Sequence, residues 1–136
     1  MDANQSRFDY VLLLDVTEHV DDDLTLEILV AAKHLLKPGG KLIIHTPNLT
    51  YWLEQLKDRG VIQQLEGHVA VRNEAQYLEL LSEAGFDAPV VTGLPHYRQP
   101  MRVVDTLLMR LPFLGRLFRS RLFIVVRNGA DRDKCA

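Results

Sequence analysis

The sequence predicts an α/β fold built on a parallel sheet, and three observations support this class. An apolar run, FDYVLLL at residues 8–14, does not alternate with polar residues, which is typical of a strand buried on both faces. An amphipathic helical stretch follows, and a second apolar strand comes after it at residues 41–46. Because the connections are short, these three elements are predicted to form a right-handed parallel βαβ unit.

The helix of this unit has clear start and stop signals. Asp21, Asp22 and Asp23 supply an N-cap and a negative first turn, which suits the positive end of a helix dipole. Pro38–Gly40 is predicted to end the helix and turn the chain into the second strand. The side chains expected to face the core recur at steps of three and four residues: Leu24, Ile28, Ala31, Ala32 and Leu35.

Four further elements are predicted beyond this unit: a helix at 49–59, a helix at 73–84, and strands at 89–92 and 122–127. Asn73 and Gln76 have the spacing of a capping box at the start of the second of these helices, and Gly85 is its stop. Its inward positions are predicted to be Tyr77, Leu80, Leu81 and Ala84.

Length and composition indicate one compact domain, which we assign to residues 1–128, followed by a polar tail at 129–136. The chain has 136 residues, 47% of them apolar, and a formal net charge of -2, so no nucleic-acid partner is expected. The single cysteine, Cys135, cannot form an internal disulfide, which favours a reducing compartment such as the cytoplasm. No apolar stretch reaches the roughly 20 residues of a membrane span.

Three segments occur in an order that resembles a known family: FDYVLLLDVTEHV, AAKHLLKPGGKLIIHTPN and GHVAVRNEAQYLELLSEAGF. They resemble the C-terminal half of class I S-adenosylmethionine-dependent methyltransferases, in the group of ubiquinone-pathway and polysaccharide-cluster enzymes. The resemblance implies a three-layer, partial Rossmann-like sheet of parallel strands, with the last strand antiparallel between its neighbours. It also implies S-adenosylmethionine as cofactor and methyl transfer to an oxygen or nitrogen of a small-molecule or lipid-linked substrate.

The family binds its cofactor mainly through a glycine-rich loop after the first strand and an acidic residue ending the second. Both belong upstream of Phe8, where this sequence has only MDANQSR. We therefore expect the chain to lack the main cofactor-binding motif and to be inactive by itself. The alternative is a non-catalytic methyltransferase-like module that assembles with a partner chain, or with itself as a homo-oligomer, through the exposed edge of strand 8–14.

The segment DVTEHV places polar residues at the carboxyl end of the first strand, where ligands bind in open α/β sheets. By the resemblance, Asp15, Val16 and His19 face the methionine part of the cofactor. Asp15, Glu18, His19 and His68 also resemble the divalent-metal ligands of small-RNA 2′-O-methyltransferases. The simpler interpretation is that Glu18 and His19 cap the following turn or hydrogen-bond to each other. Without a metal, His68 is the candidate general base, and its alternative role is to anchor a loop.

Two other regions could contact the substrate. Asn48, Tyr51 and Trp52 follow the second strand and could line a pocket, although packing of the next helix explains the two aromatic residues equally well. His45 is predicted to be a core or helix-facing side chain.

Residues 98–121 mix six arginines with apolar residues. This segment is either a membrane-facing amphipathic helix or a lid packed on the sheet with its arginines in solvent, and the lid is favoured.

Overall fold

The computed structural model describes residues 7–63 and 70–129. Its strands are β1 (Phe8–Leu14), β2 (Leu36–Pro47), β3 (Asp87–Leu94) and β4 (Arg121–Arg127). Its α-helices are α1 (Asp22–Leu35), α2 (Trp52–Asp58), α3 (Glu74–Glu83) and α4 (Met101–Leu108), and 3-10 turns lie at Thr17–His19 and Gly115–Phe118. None of the described helices has the length and apolarity needed to cross a membrane.

The four strands form one sheet in the order β1-β2-β4-β3. β1 and β2 run parallel, with Leu13 opposite Ile44. β4 is antiparallel to both of its neighbours, β2 and β3. The predicted fold class and the antiparallel last strand are therefore confirmed, and so is the parallel βαβ unit of β1, α1 and β2.

Helix α1 begins where the sequence predicts, because the Asp21 side chain accepts a hydrogen bond of 2.9 Å from the Leu24 N–H. Its buried face is different: Thr25, Leu29 and Ala32 are buried, whereas Leu24 is 43% exposed. The predicted inward positions are each one residue away from the buried ones, except Ala32, which is buried as predicted. The helix is apolar over much of its circumference, so its periodicity fits two phases, and Thr25 is tolerated inside because its hydroxyl bonds to a backbone carbonyl.

Helix α3 matches its prediction in full. The Asn73 side chain accepts from the Gln76 N–H and the Gln76 side chain accepts from the Asn73 N–H, which completes the capping box. All four predicted inward side chains are buried. Gly85 follows with φ +79°, a left-handed conformation that ends the helix.

The core lies between one face of the sheet and helices α1 and α3, which contact each other. The opposite face of the sheet carries half-exposed apolar side chains, so the described residues form two of the three layers. The prediction that β1 is buried on both faces is wrong, because Phe8, Tyr10, Leu12 and Leu14 are between 48% and 58% exposed. A continuous apolar run supplies two apolar faces, but the described helices cover only one of them.

Two boundaries differ from the predicted ones. Helix α1 ends at Leu35, and β2 begins at Leu36, opposite Phe8, before the glycine turn rather than after it. Gly39 has φ +79°, as the turn requires. The predicted helix at 49–59 is shorter because residues 48–51 form a turn closed by the Tyr51 N–H and the Asn48 carbonyl.

Candidate active site

The carboxyl edge of the sheet brings together side chains from three strands. Asp15, the residue after β1, donates its N–H to the carbonyl of His45 in β2 over 2.9 Å. Its carboxylate lies 3.3 Å from His45 Nδ1 and accepts a hydrogen bond from Arg121, the first residue of β4. Arg121 reaches this edge because β4 is antiparallel, so its start lies beside the end of β2. Asp15, His45 and Arg121 thus form one polar cluster.

Sequence reasoning found only Asp15 in this cluster. Asp15 has φ +53°, and aspartate tolerates that conformation better than most residues, so it can both end the strand and turn its carboxylate toward the neighbouring strands. His45, for which the prediction is a core or helix-facing side chain, is 26% exposed and lies with its Nδ1 3.3 Å from the Asp15 carboxylate. Arg121 could have been found from the predicted antiparallel last strand, whose first residue must lie at this edge.

Behind the cluster, a buried chain of hydroxyl groups leads to the carboxylate of Glu18. Thr17 and Tyr77 share a hydrogen bond of 2.7 Å, and Tyr77 and Thr46 share one of 3.1 Å. Thr46 donates to Glu18 Oε2 over 3.4 Å. Each hydroxyl has one proton to donate, so Thr46, which donates to Glu18, must accept from Tyr77. Tyr77 in turn must accept from Thr17.

Arg72 fixes the turn after β1. Its side chain is buried, and its guanidinium donates to the carbonyls of Thr17 at 2.6 Å and Val20 at 2.9 Å and to Asp22 Oδ1 at 2.6 Å. Several donors held in one plane satisfy several acceptors of a single turn. Sequence reasoning missed Arg72, because a single arginine before a helix looks like an ordinary surface residue.

The predicted metal ligands are not gathered into one site by the described part of the chain. The Asp15 carboxylate contacts Arg121 and His45, whereas the Glu18 carboxylate accepts a hydrogen bond from Thr46 in β2, a partner that neither interpretation of Glu18 predicted. Within residues 7–63 and 70–129, no group of three or more His, Cys, Asp or Glu side chains could hold a metal ion. His68 lies outside the described residues.

The predicted substrate residues lie close to the same edge but are bound into the fold. Asn48 is buried, donates to the Arg119 carbonyl over 2.8 Å and accepts from the Thr50 N–H over 3.1 Å. Tyr51 is buried and donates to Asp105 Oδ2 over 3.0 Å. Its burial, together with the Asp105 carboxylate, raises the pKa of Tyr51 well above its usual value. Trp52 is half-buried beside it.

A small cavity of about 110 Å³ opens between the end of β2, helix α2 and the loop after β3. Aromatic rings line it: Tyr97 stacks on His96 at 4.7 Å between ring centroids, and His96 lies 6.4 Å from Tyr51. Arg121 lies 5.6 Å from the centre of the Tyr97 ring, so the cavity joins the polar cluster. Asn48 lines a separate cavity of about 300 Å³, with Arg116, Arg119 and the start of α3.

Comparison with known proteins identifies the class. The family model described as a methyltransferase domain matches residues 1–90, so the chain belongs to this family. A ubiquinone biosynthesis O-methyltransferase of Cereibacter sphaeroides is 55% identical over 46 residues, which are 34% of this chain and 18% of that enzyme. The chain is thus a methyltransferase-domain sequence that covers only part of this relative's length.

Solved structures confirm the fold. An S-adenosylmethionine-dependent methyltransferase of Thermotoga maritima has a TM-score of 0.67 at 19% identity, over 94% of this chain and 59% of that one. One from Archaeoglobus fulgidus has a TM-score of 0.68 at 16% identity, over 91% and 61%. A Haloferax volcanii chain solved in complex with the Trm112 methyltransferase activator has a TM-score of 0.60 at 14% identity, over 93% and 57%. The chain therefore spans about three-fifths of the length of these structures.

Proposed function

We propose that this chain forms the part of a methyltransferase that orients the methyl acceptor and holds the methionine end of S-adenosylmethionine. The acceptor would be an oxygen or nitrogen of a small-molecule or lipid-linked substrate. The observation that carries the proposal is the polar cluster of Asp15, His45 and Arg121 at the carboxyl edge of a methyltransferase sheet, beside an aromatic-lined cavity. The single cysteine is consistent with a cytoplasmic protein.

The residues after β1 fit the methionine end of the cofactor. Asp15, Val16 and His19 are exposed, and Asp15 offers a carboxylate to an amino group. The turn is held by the buried Arg72, so these groups are pre-oriented. No glycine lies between a strand end and the next helix within the described ranges, so we assign no residue to the adenosine end. When bound, S-adenosylmethionine supplies a methyl group on a positively charged sulfur.

We assign the proton-accepting role to His68, whose imidazole would take the proton that the acceptor oxygen or nitrogen loses. Support comes from Ala70, two residues later in the chain, which donates its N–H to the Glu18 carbonyl over 3.1 Å. We assign no step to a divalent metal, because the carboxylates of Asp15 and Glu18 are engaged with different partners.

For the acceptor, we propose that Asn48, Tyr51 and Trp52 shape the site rather than react. Tyr51 keeps its proton because its pKa is raised, so it would act as a rigid wall and not as a base. The cavity beside it is smaller than the roughly 300–1,000 Å³ of a typical ligand pocket, so it would hold only one end of a substrate. The Arg121 guanidinium would favour a negatively charged group at the end of the substrate that enters this cavity.

The test is calorimetric titration with S-adenosylmethionine of two proteins. The first is this chain, for which we expect no binding. The second is a fusion that adds, before this chain, the part of the Cereibacter sphaeroides enzyme preceding its matched segment, for which we expect binding. Asp15→Asn in the fusion should weaken binding roughly tenfold, since a charged hydrogen bond is lost. Asp58→Asn, at the exposed end of α2, is the matched control. A folded fusion that does not bind the cofactor contradicts the proposal.

A second candidate function is assembly with another polypeptide. Within the described residues β1 pairs with β2 alone, and its four exposed apolar side chains line an open edge and face. Such a strand can pair with a strand of another chain. The Haloferax volcanii structure, which contains the Trm112 methyltransferase activator, is an example of a chain of similar fold in a complex. Under this candidate the chain would be a module without catalytic activity of its own, and the fusion would not transfer methyl groups.

A further inference from the structure

Helix α4 buries its one acidic residue and exposes several apolar ones. Asp105 is fully buried, where it accepts hydrogen bonds from Tyr51 and from the His96 N–H. Val103 and Leu107, one turn apart on the other side, are 51% and 59% exposed. A soluble monomer rarely exposes the apolar stripe of an amphipathic helix while it buries the only acidic residue of that helix. We therefore expect this stripe to contact another molecule or surface.

The apolar surface continues past the end of α4. Leu111 and Leu114 are about half exposed, and Phe113 between them is 98% exposed. The turn that projects Phe113 is tight: Phe113 has φ +66°, and a Cβ at Gly115 would overlap the Met109 carbonyl. We call the whole surface the α4 apolar surface, and its exposed residues are Val103, Val104, Leu107, Leu111, Phe113 and Leu114.

The segment that carries this surface is rich in positive charge. Residues 98–121 contain six arginines, and their one acidic residue is the buried Asp105. Arg102, Arg110 and Arg116 are exposed. The chain as a whole has a formal charge of -2, so the rest of it is acidic and the basic charge is concentrated around the apolar surface. The alternative of a lid packed on the sheet accounts for the exposed arginines but not for the exposed apolar stripe.

We propose that the α4 apolar surface docks on an anionic lipid bilayer. A helix with an exposed apolar face and a basic flank lies in the interface of a membrane, with its apolar residues in the acyl boundary and its arginines at the head groups. The two contributions reinforce each other, because acyl burial adds to the attraction of each arginine for an anionic surface. Docking would not require methyl transfer, so this inference is independent of the proposed function.

The experiment is flotation of the chain with vesicles of phosphatidylcholine, and of phosphatidylcholine mixed with phosphatidylglycerol. We expect binding to the anionic vesicles that weakens as salt is added. Phe113→Ser should lower the partition coefficient roughly tenfold, and Arg110→Glu by about fivefold or more. The matched controls are Val61→Ser and Arg59→Glu, which change exposed residues beyond α2 and should leave binding unchanged.

A direct reporter is Phe113→Trp, whose added fluorescence should shift to shorter wavelength with anionic vesicles and not with neutral ones. Thermal unfolding of every variant shows whether its fold is intact. Equal binding to both vesicle types, equal losses for Phe113→Ser and Val61→Ser, or no binding at low salt would overturn the proposal. So would light scattering in which Phe113→Ser converts an oligomer into a monomer, because the surface would then bind a second copy instead.

Discussion

Arg72 donates a hydrogen bond of 2.6 Å to the carbonyl of Thr17, across 55 residues of sequence. The bond ties the segment before α3 to the turn after β1, which carries Asp15, Val16 and His19. Because the guanidinium is buried and donates to the carbonyls of Thr17 and Val20 and to the Asp22 carboxylate, it holds this turn in place. The geometry of the candidate active site therefore depends on a residue that lies outside it.

We predict that Arg72→Lys destabilises the fold by about 2–4 kcal/mol, because a lysine cannot reach all the acceptors and leaves buried carbonyls unsatisfied, each costing about 1–3 kcal/mol. Urea unfolding monitored by circular dichroism measures the free energy of unfolding. Arg59→Lys, at an exposed arginine, is the control and should change it by less than about 0.5 kcal/mol. Equal effects of the two substitutions would show that Arg72 does not hold the turn.

The buried hydroxyl chain gives a second prediction. Tyr77→Phe removes the hydroxyl that links Thr17 to Thr46, so we expect a loss of about 1–3 kcal/mol in the free energy of unfolding. The loss comes without a cavity, since the ring stays in place. Tyr97→Phe, at an exposed tyrosine, is the matched control and should have almost no effect. If Tyr77→Phe is as stable as the control, the hydroxyls do not form the connected chain described above.

The third prediction concerns pH. The folded protein raises the pKa of Tyr51 above its unfolded value, near 10, so the folded state binds this proton more tightly. The resulting stability is fully present below about pH 10 and is lost as the pH rises toward the folded pKa, by up to about 1.4 kcal/mol per pH unit. Unfolding of the native chain and of Tyr51→Phe, compared from pH 9 upward, should show the steeper fall in the native chain. Parallel curves would mean that Tyr51 ionises as freely in the folded chain as in the unfolded one.

Local sequence rules predicted local structure well. The caps at Asp21 and Asn73 and the stop at Gly85 depend on residues within four positions of each other, so the sequence contains all the required information. The buried face of α1 was predicted one residue away from the observed one, because apolar residues lie on both candidate faces. The elements that pack against the helix determine which of the two faces is buried. The exposure of β1 was missed because strand composition indicates which faces can be buried, not whether a helix covers them.

The candidate site was predicted only in part, for the same physical reason. Asp15 was identified because strand ends are visible in the sequence. Arg121, His45 and Arg72 contribute through contacts across 30 to 106 residues, which arise only when the strands and the segment before α3 come together in the fold. Long-range contacts of this kind have no local sequence signal, and a charged residue that makes them resembles any solvent-exposed one.

The open edge of β1 leads to the last prediction. Within the described chain, one side of β1 has no strand beside it, and Tyr10, Leu12 and Leu14 place exposed apolar side chains on one face. A long apolar edge without proline or lysine pairs readily with another chain. We therefore predict that this chain self-associates through β1 and does not bind S-adenosylmethionine as an isolated chain.

Light scattering coupled to gel filtration measures the association directly. Leu12→Lys places a charge on the exposed face of β1, where a second strand or sheet would have to bury it, so this variant should shift the population toward monomer. Val61→Lys adds the same charge at an exposed residue after α2 and should leave the association unchanged. A native chain that remains monomeric at high concentration would contradict the prediction, since the uncovered edge would then be stable in water. An oligomer that persists in Leu12→Lys but dissociates in Phe113→Ser would assign the contact to the α4 apolar surface instead of β1.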